Sequence, residues 1–123
     1  MVTYDIKVDT NKNRCIIIAS GFFQDSEAKE LADKYTEAIK KLKPGFDQIA
    51  LLNDLKPSTP GAVDELQRIQ ISAIQHGINR LVRVFGESAP LTQMQVERQA
   101  KETGIKAMTA RTLEEAEKLL DAK

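Results

Sequence analysis

Apolar and polar residues alternate through Tyr4, Ile6 and Val8, the period of a strand with one buried face. Asp9 to Asn13 are turn formers that return the chain antiparallel into CIIIAS, so the first two elements read as a hairpin. The near-continuous apolar character of the second strand predicts burial on both faces, toward the middle of a sheet. From Asp25 the period lengthens, and Ala28, Leu31, Ala32, Tyr35, Ala38, Ile39 and Leu42 fall on one face of a helix. Asp25 or Ser26 is expected to cap its start, and Lys43-Pro44-Gly45 stops it.

Ile49 to Leu52 reads as a short buried strand, and from Pro60 the residues Ala62, Leu66, Ile69 and Ala73 make a second helix closed by Gly77. Ile78 to Phe85 is the next strand. Thr92 and Gln95 have capping-box spacing before a helix over Gln93 to Thr103 that ends at Gly104. Lys106 to Ala110 is a further short strand. Thr112 and Glu115 form a second capping box before a last helix, whose inner stripe is Leu113, Ala116 and Leu120. The order ββαβαβαβα defines an α/β fold: one small domain over residues 1–123, with a mixed, mostly parallel sheet and an antiparallel N-terminal hairpin.

Eighteen Lys and Arg balance eighteen Asp and Glu, which removes any broad electrostatic argument for nucleic acid or an anionic membrane. The longest apolar run, Cys15 to Ala19, is far short of a spanning helix, so no membrane insertion is expected and the chain reads as soluble and cytoplasmic. Cys15, the sole cysteine, sits within that run and reads as a small buried hydrophobe.

One histidine and one cysteine on separate elements assemble neither a zinc site nor a histidine-activated nucleophile. The six glycines are isolated, so no phosphate-cradling loop is present. His76, just before Gly77, suits the last turn of its helix. Asp54 stands at the end of a strand like a phosphoacceptor aspartate, yet a cation site there needs further carboxylates, and the earlier strand end offers only Asp25. Arg80, Arg83, Arg98 and Arg111 are candidates for an anion site if folding gathers them. The expectation is therefore of no metal, no cofactor and no catalysis.

In parallel sheets, the loops leaving the carboxyl ends of the strands gather on a ligand edge. Two such loops are NDLKPSTPG, with Asp54, Lys56, Pro57, Pro60 and Gly61, and GESAPLT, with Pro90 and Thr92. Pro60 suits the first helical position and Thr59 the N-cap. The same geometry serves a phosphoacceptor at Thr59 or Ser58, because a phosphate there meets the positive end of the helix dipole. Sequence spacing leaves both readings open.

Gly21-Phe22-Phe23-Gln24-Asp25 followed by Ala28 and Leu31, then IALLNDLK leading to a Pro-Gly helix start, resembles the sulfate transporter and anti-sigma factor antagonist (STAS) domain. The nearest likeness is to its stand-alone anti-sigma factor antagonist members. The resemblance implies helices largely on one side of the sheet and a cytoplasmic regulatory role. It also implies a protein partner, of the kind of an anti-sigma-factor-like kinase, and a phosphorylated Ser or Thr at the start of the helix after the third strand. Gly61 matches the glycine of the family's Asp-Ser-Ser/Thr-Gly type of motif; Pro60 precedes it, leaving Thr59 the nearest hydroxyl and Ser58 the next.

The alternative is a carrier of a small apolar, lipid-like ligand, held in a cleft between sheet and helices that Phe22, Phe23, Met94 and Met108 would line. Phe22 and Phe23 read otherwise as core lids beneath the hairpin.

Overall fold

In the computed structural model, residues 3–52, 59–84 and 107–121 are described. The strands are β1 (Thr3–Asp9), β2 (Arg14–Ser20), β3 (Asp47–Leu51), β4 (Arg80–Val84) and β5 (Ala107–Ala110), and the helices α1 (Asp25–Ala38), α2 (Pro60–His76) and α3 (Leu113–Asp121). A short 3-10 turn, Ile39–Lys41, extends α1. The strands make one sheet in the order β1-β2-β3-β4-β5. β1 and β2 pair antiparallel, and the remaining pairings are parallel, as the element order predicts. The strand expected at Ile49–Leu52 runs from Asp47 to Leu51, and the one expected from Ile78 begins at Arg80, with Phe85 outside the described residues. The expected helix over Gln93 to Thr103 lies outside the described residues.

Burial follows the strand period. Cys15, Ile17 and Ala19 of β2, Ala50 of β3 and Leu81 of β4 join one core with Ala28, Leu31, Ala32 and Tyr35 of α1 and Ala62, Ile69 and Ala73 of α2. Ile49, Val82, Val84 and Ala110 face the other way and pack with Ala116 and Leu120 of α3. Two of the three described helices therefore share one face of the sheet, and the strands between them are covered on both. That double burial explains why β2 reads as an almost unbroken apolar run while β1, at the edge, alternates.

β3 begins two residues earlier than its apolar pattern suggests, because two polar residues there are matched inside the fold. Asp47 accepts two bonds from Arg80, Nε at 3.1 Å and Nη2 at 2.8 Å. Gln48 accepts from the hydroxyl of buried Tyr35. Arg80 also donates to the Leu120 carbonyl at 2.9 Å, and Arg14, 4 % exposed, donates to Asp121 at 2.8 Å. Two guanidinium groups thus hold the carbonyl end of α3, where cations are favoured.

α2 ends at Gly77, whose φ of 91° places it in the left-handed region. A side chain at Gly77 would also lie 3.0 Å from Pro44 Cβ, so this stop is fixed by backbone conformation and space together. His76 Nε2 donates to the Leu42 carbonyl at 2.6 Å, tying the last turn of α2 to the segment after α1. Midway along α2, Arg68 reaches Asp33 of α1 at 3.0 Å and Glu65 of its own helix at 2.6 Å. The hydrogen bond from Arg68 holds the Asp33 carboxyl below its ordinary range.

Candidate functional site

Thr59 precedes α2 with extended backbone, φ −63° and ψ 157°, and its hydroxyl oxygen accepts from the Ala62 N–H at 3.2 Å. Pro60 takes the first helical position. The N-cap geometry expected from Thr59-Pro60 is therefore present in full.

The hydroxyl does more than cap. Its proton is donated to Asp25 Oδ1 at 2.5 Å, across 34 residues of sequence. Asp25 is the first residue of α1, and the N-cap of that helix is Gln24, not Asp25 or Ser26. Gln24 and Glu27 make a reciprocal capping box, the Gln24 N–H donating to Glu27 Oε1 at 3.1 Å. The cap is displaced by one residue because this box satisfies the first-turn amides from Gln24, which leaves the Asp25 side chain to meet α2.

Gly61 explains how the two helix starts come so close. A Cβ built there would lie 2.4 to 2.6 Å from the carboxylate atoms of Asp25, which no side chain accommodates without displacing Asp25. The glycine thus seats the carboxylate against the backbone of the first turn of α2, and the amino ends of α1 and α2 meet around one carboxylate and one hydroxyl. Both helix dipoles favour negative charge at this point.

Above the pair is an open depression of about 450 Å³ lined by Phe22, Gln24, Asp25, Ser26 and Thr59. Phe22 is 45 % exposed whereas Phe23 is fully buried, so the adjacent rings divide between a surface role and the core. Phe23 meets the Tyr4 ring at 5.7 Å between centroids, which accounts for its burial. The core-lid expectation holds for Phe23 and fails for Phe22.

Of the sequence-based candidates, the structure places Thr59, Pro60 and Gly61 together at the start of α2 and adds Asp25, Gln24, Ser26 and Phe22 beside them. Asp54, Lys56, Pro57, Ser58, Pro90 and Thr92 lie outside the described residues. Asp25 was missed as a partner of Thr59. The local signal for it is Gly61, a poor helix former inside a first turn, where a close approach by another group is the usual reason.

Of the candidate arginines, Arg98 lies outside the described residues, and Arg80 and Arg83 do not share a site. Arg80 is occupied by Asp47 and the end of α3, while Arg83 lines the opposite face of β4. There, between the sheet and α1/α2, lies a cavity of about 70 Å³ whose walls include Ile17, Leu31, Leu66, Ile69, Leu81 and Arg83. That is about half the volume that accommodates benzene in an engineered core cavity, and it is well short of a lipid chain. Neither Phe22, Phe23 nor Met108 lines it.

Cys15 is fully buried, and burial pushes its thiol up to about 12, the inert behaviour expected of a core cysteine. Among the described residues no cluster of histidine, cysteine and carboxylates is arranged to hold a metal, and no helix is long and apolar enough to cross a membrane.

The fold and site define a small α/β domain with a threonine–aspartate pair at two converging helix starts. No protein-family model matches the chain, and no curated protein matches it.

Proposed function

We propose that the chain is a non-enzymatic, cytoplasmic regulatory domain that binds a protein partner and is switched at Thr59 by phosphorylation, in the manner of the anti-sigma factor antagonists it resembles. The observation that carries this reading is the hydrogen bond from Thr59 Oγ1 to Asp25 Oδ1 at the rim of an open depression. A helix cap needs only an acceptor; this hydroxyl is also a donor to a carboxylate, so its chemical state governs how α1 and α2 meet.

Phosphorylation replaces the hydroxyl proton with a phosphoryl group of roughly −2 charge. Thr59 then ceases to donate to Asp25, and two anions face each other across the former bond. The phosphate sits at the amino end of α2, where the helix dipole favours negative charge. Asp25 cannot retreat toward α2, because the Gly61 backbone already occupies that side. Its carboxylate therefore turns outward into the depression beside Phe22, changing both the charge and the shape offered to a partner. A partner kinase supplies the phosphoryl group.

The test is to isolate the chain gently from its own cells, map its phosphorylation, and compare partner retention by native mass spectrometry for wild type, Thr59→Ala and Thr59→Glu. The reading expects Thr59→Glu to lose a partner that Thr59→Ala retains. Equal retention by both removes the charge switch.

A further inference from the structure

The outer edge of β1 carries a pattern that the Thr59 site does not use. Among the described residues β1 pairs only with β2, so one side of a seven-residue strand presents its backbone groups outward. Natural proteins guard such edges, because another strand can add to them. Here the guard is Asp5, whose Oδ1 accepts from the Ile6 N–H at 2.8 Å. A carboxylate can reach that amide only on the open side, so Ile6 presents its backbone to whatever comes next to β1.

We propose that β1 is an interaction surface for a second copy of this chain, the two strands pairing antiparallel about Ile6. The sequence of the strand, TYDIKVD, is self-complementary about that residue. With Ile6 facing Ile6 of the second copy, Asp5 faces Lys7 and Lys7 faces Asp5, and side chains directly opposite in an antiparallel pair are within contact range. On the opposite face Tyr4 meets Val8, an aromatic against a β-branched residue, and both are only half-buried in the single copy. Two like charges in these places would have made the same pairing repulsive; the opposite signs make it attractive twice over.

The Ile6 amide exchanges its bond to Asp5 for the Ile6 carbonyl of the other copy, and Asp5 exchanges that amide for the Lys7 ammonium. No polar group is left unmatched by the exchange, which distinguishes this edge from one that is merely blocked. The inference stands on β1 alone and is independent of what happens at Thr59.

Sedimentation velocity of the full chain over a range of concentrations tests it, with circular dichroism confirming that each variant folds. Wild type is expected to double in mass reversibly as concentration rises. Lys7→Asp, which turns both cross-strand pairs repulsive, is expected to weaken association about tenfold. Asp5→Lys combined with Lys7→Asp restores opposite signs and is expected to recover it. Ile6→Pro removes the outward amide while sparing the β1–β2 ladder, and is expected to give only monomer. A wild type that stays monomeric throughout, a dimer that survives Ile6→Pro, or a double variant that fails to recover would each overturn the proposal.

Discussion

Replacing Thr59 by valine keeps the shape of the side chain and removes only the hydroxyl, so it isolates what the pair with Asp25 contributes. Two bonds are lost, the cap from Ala62 N–H at 3.2 Å and the donation to Asp25 at 2.5 Å. Loss of an N-cap oxygen costs about 1 kcal/mol. The second bond is to a carboxylate, but Asp25 is exposed and water takes over much of its solvation, leaving about 0.5–1 kcal/mol. The expected loss is about 1.5–2 kcal/mol, or about 6–8 °C in Tm for a domain of this size.

Thr59→Ser keeps both bonds and is expected within about 0.5 kcal/mol of wild type. Thr59→Asp supplies a good cap but sets a second carboxylate against Asp25. Asp25→Asn should therefore destabilise the wild type and stabilise the Thr59→Asp background, a reversal of sign that only direct contact produces. Thermal and urea denaturation followed by circular dichroism read all of these, with the urea slope unchanged if only the native contact is altered. Thr59→Val within about 0.5 kcal/mol of wild type, or Asp25→Asn acting alike in both backgrounds, would refute the reasoning.

Two further outcomes follow from the geometry. Gly61→Ala gains about 1 kcal/mol of helix propensity but expels the Asp25 carboxylate, so Asp25→Asn should cost nothing more in that background; an undiminished effect, read by the same denaturation cycle, would show that Asp25 does not sit against Gly61. At α3, the hydrogen bond from Arg14 holds the Asp121 carboxyl below its ordinary range. That contribution is present above the ordinary carboxylate pKa and is lost as pH falls through the lowered one. Asp121→Asn should lower Tm at neutral pH, and the gap to wild type should close on acidification; a gap independent of pH would deny the pairing.

What was legible in the sequence was whatever local spacing controls. The hairpin, the order of elements along the chain and the Thr59-Pro60 start of α2 follow from periods and caps within a few residues of each other. The early start of β3 was not legible, because Asp47 and Gln48 look like loop residues until Arg80 and Tyr35 are placed beside them. Phe22 and Phe23 are adjacent and chemically identical, and which of them is buried depends on a core assembled from distant parts of the chain, Tyr4 among them. Asp25 resembled an N-cap, and its partnership with Thr59 depends on two helix starts brought together by the sheet.

The most direct test of the central claim is the occupancy of Thr59 in chain isolated from its own cells, mapped residue by residue on the sample that native mass spectrometry shows bound to or released from its partner. The account predicts phosphate on Thr59 in the released chain and an unmodified hydroxyl in the bound one. A Thr59 that is unmodified in both, with the partner released all the same, would contradict it.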